Sequence, residues 1–240
     1  MNTKVLKIKF FAVMAFLAGL AADAAAQESG ESTGGGVTLG QVFQDAGAIG
    51  WCIVLLSVIA MGVIIKFFVD LKRDKLAPPD LLDELDALIE EKNYDEALGI
   101  CEDENNFISN VVLAGLNKVN HPFATIEGAV EEALDEESVK LHMKVGWLSL
   151  IAQIAPMMGL LGTVSGMITC FGTIAEKETG VSPKDLAGGI KAALITTLFG
   201  LIVAIPVASA FVFFRNRVVM ITLEVSALCD ELFERFRPAD

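Results

Sequence analysis

Gln153, Pro156, Thr163 and Thr197 stand in stretches made otherwise of apolar and small residues. No residue from Gly146 to Ala175 is charged, and none from Ala192 to Phe214. A hydroxyl or carboxamide can hydrogen-bond a water, a carbonyl or a carboxylate without itself holding a charge. In a segment long enough to cross a bilayer such groups gain little by facing lipid, and they suit a wet or partner-filled lumen. The same stretches contain no acid able to carry a proton. Ion conduction would therefore need a titratable group from another subunit. Packing alone is the competing explanation, because membrane Thr and Ser bond a carbonyl one turn back and glycines serve close contact.

The small residues follow a helical period. At about 100° per residue, Gly159, Gly162 and Gly166 fall within about 60° of one another, joined by Thr169 and Thr173. Gly162 and Gly166 make the close-approach spacing of membrane helices. Ser149, Gln153, Pro156, Leu160, Thr163 and Met167 occupy another sector. Further on, Ala193, Thr197, Gly200, Ala204 and Ala208 form a second stripe. Helices with such faces pack tightly.

Composition narrows the function classes. Of 240 residues 53% are hydrophobic and 20% charged, with a mean hydropathy of +0.56. Residues 70–140 hold 19 acidic and 6 basic side chains, a net of −13 that equals the net charge of the whole chain. The acidity thus belongs to one polar segment and argues against a nucleic-acid partner. Cys52, Cys101, Cys170 and Cys229 show no CxxC spacing, and His121 and His142 fit no ligand pattern, so no metal or other cofactor is expected. Phosphate-binding, zinc-hydrolase and serine-hydrolase motifs are missing, and the chain does not read as an enzyme.

The order of elements follows from these runs. Residues 1–26 read as a signal peptide: Lys4, Lys7 and Lys9 precede an apolar core, and Ala24 and Ala26 fit a cleavage site. A flexible periplasmic lead covers 27–45, and a first transmembrane helix covers 46–69. Lys66, Lys72, Arg73 and Lys75 mark the cytoplasmic end of that helix. An acidic cytoplasmic helical domain spans 70–145. In it Leu81, Leu82, Leu85, Leu88 and Ile89 form one stripe, Tyr94 opens a second helix, and Pro122 breaks the pattern before a third. A second transmembrane helix covers 146–175, a periplasmic hairpin 176–191, a third transmembrane helix 192–214 and a cytoplasmic C-terminal helix 215–240. Basic residues flank the cytoplasmic ends, which predicts three spans, N-out and C-in, with long helices running into the cytoplasmic domain. The fold class is all-α membrane protein.

Several of these blocks together resemble the ExbB/TolQ/MotA family of proton-channel subunits, the ExbB branch most. They are Ala155-Pro156, the run Gly159 to Val164 with Gly166-Met167, Gly189-Ile190, and Ala193-Leu194. Thr197, Gly200-Leu201 and Ala204-Ile205-Pro206 complete the set, and the likeness covers roughly 40–237. The resemblance implies an inner-membrane stator in a Gram-negative bacterium. In it several copies, as a pentamer, surround single-span ExbD/TolR-like partners whose membrane Asp carries protons or sodium ions, and the work is done on a TonB-like protein. It places Thr163 and Thr197 at the pore, with Gln153 and Pro156 in the same lining, and leaves Gly159, Gly162, Gly166, Gly200 and Ala204 to helix packing. Two positions depart from the family pattern: Ala192 stands where a glutamate is common, and Ser165 where a tryptophan is. A non-conducting scaffold working through the cytoplasmic domain is the alternative.

Overall fold

The structure, a computed structural model, describes residues 47–104, 106–176 and 183–237. The expected signal peptide and lead lie outside the described residues, as do positions 177–182 of the hairpin. Among the described residues every regular element is helical. The helices are α1 (Gly47–Asp70), α2 (Arg73–Leu76), α3 (Pro79–Glu90), α4 (Tyr94–Asp103), α5 (Phe107–Leu116), α6 (Phe123–Glu176) and α7 (Pro183–Phe233), with a closing 3₁₀ turn at Glu234–Phe236. The chain is thus all-α, and α1, α6 and α7 are each long and apolar enough to cross a membrane.

α6 has 54 residues and α7 has 51. At 1.5 Å per residue each is roughly 80 Å long, against about 30 Å of hydrocarbon. Most of each helix beyond its charge-free run therefore extends past a single crossing. Neither Pro156 in α6 nor Pro206 in α7 ends its helix. Positions 183–191, assigned to the hairpin from sequence, are helical instead. Pro183 opens α7, where its missing N–H costs no hydrogen bond and its fixed φ suits a first turn.

The described residues form two compact units. The first holds α1 up to Ile64, α6 from Trp147 and α7 up to Phe211. Inside it lie Ile53, Ala60, Leu148, Ala155, Ala193 and Ala204. On its outside Trp51, Leu55, Met157, Ile168 and Leu194 are exposed. So large an apolar surface is a membrane or subunit-facing surface.

The second unit holds Ile65–Gly146 and the chain from Val212 onward. Leu81, Leu85 and Ile89 of α3 are buried, while Leu82 and Leu88 sit at the edge of the stripe. α5 is the centre of this unit, with seven of its ten residues buried. Its N-terminus is capped by Asn106, whose side chain accepts from the Ser109 amide at 3.0 Å. Gly115 of α5 leaves room for the Phe233 ring and Val130, which a Cβ there would strike. The last turn of the chain is tied down by Arg235, 2.9 Å from Asp86 and 3.1 Å from Glu90.

Cys101 and Cys229 are buried in this unit. Burial pushes the Cys101 thiol up to about 11 and the Cys229 thiol up to about 12, the latter helped by Asp230. Both raised values disfavour the thiolate in the folded state. The stability tied to these thiols is whole below pH about 9, where the unfolded thiols begin to ionise, and falls as pH rises toward 11–12. Chemical denaturation at pH 8, 9.5 and 10.5 is expected to show a decreasing midpoint, less steep in Cys101→Ala/Cys229→Ala.

Candidate functional site

Within the first unit α6 and α7 lie against each other along a seam of small residues. A Cβ on Gly159 would sit 3.0 Å from the Thr197 Cα, and one on Gly166 would sit 2.9 Å from the Ala193 Cβ. One on Gly162 would run into the Thr196 side chain. From the other side, a Cβ on Gly200 would approach the Ala155 carbonyl oxygen to 2.6 Å, and one on Gly189 the Cys170 sulfur to 2.9 Å. The backbones are thus close enough that only hydrogen fits at several positions. That closeness allows the one side-chain hydrogen bond across the seam among the described residues that joins a hydroxyl to a backbone carbonyl. Thr197 Oγ1 donates to the Gly159 carbonyl at 3.0 Å.

The seam differs in detail from the periodic faces. Thr169 and Thr173 are exposed and donate to carbonyls of their own helix at 3.0 and 2.9 Å. Cys170 occupies the corresponding place, because the contacting positions step 155, 159, 162, 166, 170 and so rotate past the threonines. On α7 the line runs through Ala193, Thr196, Gly200, Ala204 and Val207, all buried, while Ala208 is exposed. Thr196 was not singled out from sequence, and Gly189 and Cys170, though named there, were not assigned to helix packing. The 189, 193, 196, 200 spacing was the available signal for Gly189 and Thr196.

Thr163, Pro156 and Gln153 lie on one flank of this seam, about 40°, 60° and 120° round the helix from Gly159. Gln153 is exposed, and the other two are half-buried. Thr163 Oγ1 donates to the Leu160 carbonyl at 2.6 Å. The Gln153 amide donates to the Ser149 carbonyl at 3.2 Å and to its hydroxyl at 3.0 Å. Thr197 therefore faces the seam, whereas Gln153, Pro156 and Thr163 share the flank. The Gln153 and Thr163 donors are committed within their own helix and the Thr197 donor across the seam, which leaves the hydroxyl or carboxamide oxygen free to accept from water or from a protonated carboxyl. Thr196, fully inside the seam, spends its proton on the Ala193 carbonyl at 2.7 Å. Ala192 is half-buried and offers no polar atom, and the exposed Lys191 lies one residue before it.

Residues 103–227, which contain all of α6 and the seam on α7, match the sequence profile of the MotA/TolQ/ExbB proton channel family. The chain belongs to that family. Among its curated relatives is a putative biopolymer transport protein ExbB homolog of Methanothermobacter thermautotrophicus, 25% identical over 182 residues, covering 75% of this chain and 64% of the relative. The biopolymer transport protein ExbB of Xanthomonas campestris pv. campestris is 40% identical over 93 residues, 38% of this chain and 36% of its own. The Tol-Pal system protein TolQ of Pseudomonas aeruginosa is 33% identical over 113 residues, 46% and 48% of the two chains. In each case the chain spans less than two thirds of the relative's length. A solved structure of C. jejuni MotAB aligns with 100% of this chain and 97% of its own at a TM-score of 0.44 and 16% identity, a distant likeness. The family is thus one of proton channels, and these relatives are named for biopolymer transport and for the Tol-Pal system.

Proposed function

We propose that this chain is the channel-forming subunit of an ion-driven stator in the inner membrane of a Gram-negative bacterium. Several copies, five in the favoured arrangement, enclose the single-span helices of an ExbD/TolR-like partner. Each copy crosses the membrane three times, N-out and C-in, an orientation supported by Lys66, Lys72, Lys140, Lys144, Arg215 and Arg217 at the cytoplasmic ends. The observation that carries this reading is the polar flank on a charge-free span. Gln153 and Thr163 present acceptors on α6, yet no carboxylate lies from Gly146 to Ala175 to carry a proton. The partner's membrane Asp supplies that group, and Thr163, Thr197, Gln153 and Pro156 line its path. One elementary charge crossing 100 mV releases about 2.3 kcal/mol, enough to bias a rotation step. The work goes to a TonB-like periplasmic protein.

A non-conducting scaffold is the second reading, and Ala192 in the place of the family's glutamate favours it. Proton flux into liposomes separates the two. The chain is co-purified with an ExbD/TolR-like partner and reconstituted under an imposed potential. Flux above that of liposomes carrying the partner with Asp→Asn supports the stator, and equal flux in the two rules it out.

A further inference from the structure

In the second unit the cations near the membrane end of the bundle fall into two sets. Of those toward the polar domain, Arg73, Lys75, Lys140 and Arg217 are engaged within the chain, and Lys72 is exposed with no acidic partner among the described residues. Arg73 meets Glu224 at 2.5 Å, Lys75 meets Asp70 at 2.5 Å, and Lys140 meets Glu136 and Glu137 at 2.9 and 2.8 Å. Arg217 donates to the Leu71 carbonyl at 3.4 Å. Lys66, Lys144 and Arg215 are exposed, and none of the three has an acidic partner among the described residues.

These three share one depth. Ser138 of α6 meets Thr222 of α7 through a hydroxyl contact of 3.3 Å. From that pair Lys144 is six residues and Arg215 seven residues toward the membrane, about 9 and 10.5 Å of helix rise. Phe68 of α1 packs edge-on to Phe214 at 5.0 Å, which places Lys66 about 3 Å on the membrane side of Phe214. The slab that contains all three is about 6 Å thick. On its membrane side, in the same unit, Ile65 and Val212 are 58% and 54% exposed. A ligand for this belt must present negative charge at one level and apolar surface just beyond it.

We propose that Lys66, Lys144 and Arg215 form a binding belt for the headgroups of anionic phospholipids, whose acyl chains lie along Ile65 and Val212. The proposal rests on the chain spanning the membrane, and not on ion conduction. A second copy of the chain is a poorer occupant. Its acidic groups are concentrated in the 70–140 segment, and it brings no apolar tail bound to each charge. A cation at an anionic membrane surface is worth about a fivefold preference, so three yield tenfold or more even when partly screened.

The test uses the full-length protein in detergent, equilibrated with an equal mixture of phosphatidylglycerol and phosphatidylcholine. Retained lipid is then counted by native mass spectrometry. Wild type should hold phosphatidylglycerol over phosphatidylcholine by at least about tenfold, falling toward parity as salt rises from 0.05 to 0.5 M. Lys66→Gln/Lys144→Gln/Arg215→Gln should retain both lipids equally, while Arg73→Gln/Lys75→Gln keeps the wild-type ratio. The charge-preserving Lys66→Arg/Lys144→Arg should also keep it. Equal retention by wild type, a preference indifferent to salt, or an equal loss in the Arg73/Lys75 control would each overturn the proposal. So would a triple variant that changes the oligomer mass with the lipid ratio intact, since that points to a second copy as the occupant.

Discussion

Gly200→Ala is expected to destabilise the folded chain by about 1–3 kcal/mol and to separate α6 from α7. A single methyl suffices because its nearest neighbours are backbone. The added Cβ would lie 2.6 Å from the Ala155 carbonyl oxygen and 3.1 Å from the Gly159 Cα. A side chain could rotate away, but a helix backbone can relieve this contact only by moving the whole helix. That shift stretches the Thr197–Gly159 hydrogen bond as well. Gly172→Ala is the matched control, with no heavy atom within 4 Å of its added Cβ. There the substitution should be neutral or stabilising by about 0.5–1 kcal/mol, the usual helical preference for Ala. Unfolding of both variants in a mild detergent, followed by circular dichroism, decides the matter. Equal stability of the two would show that the seam is looser than described.

Thr163→Val is expected to lower ion flux through the reconstituted complex about tenfold to a hundredfold while leaving assembly intact. Valine keeps the volume and removes the hydroxyl oxygen, whose lone pairs remain available after the proton goes to Leu160. A buried donor left without its acceptor costs about 1–3 kcal/mol, and each 1.4 kcal/mol is a tenfold change in rate. Thr163→Ser should restore most of the flux. Thr197→Val should reduce flux similarly, with an added loss of about 1 kcal/mol in stability from the broken bond to Gly159. Unchanged flux in Thr163→Val would remove that residue from the ion path, and unchanged flux in both would remove the threonine pair.

Local pattern made much of this fold legible. Long apolar runs bounded by charge announce α1, α6 and α7, and Pro79 with the Leu81–Leu85–Ile89 spacing announces α3. α5 was not visible. Phe107–Leu116 is apolar nearly all round, and a helix surrounded by its neighbours shows no polar face to set a period. Faces on α6 were readable to within one step of the helix. Gly159, Gly162 and Gly166 meet α7, but Cys170 replaces Thr169 and Thr173 because the contact line depends on how the partner helix crosses. Thr197 shows the limit of wheel positions. Its place on the α7 stripe was evident, whereas its bond to a carbonyl 38 residues away depends on two backbones coming into contact. The clamp of Arg235 on Asp86 and Glu90 spans 149 residues and leaves no local trace at all.

The seam also decides where this part of the molecule has freedom to move. Its contacts are made by backbone and by side chains of one to three heavy atoms, so no rotamer change can open it gradually. For one helix to slide along the other, Gly159 and Gly200 would both have to leave register and re-engage about a turn away, some 5.4 Å along the axis. Residues 155–170 and 189–207 therefore behave as one stiff stave. Any working motion in a complex built from this chain belongs to the outer faces of the staves, where Leu160, Met157 and Leu194 stand exposed and can slip past a neighbour without unlocking anything.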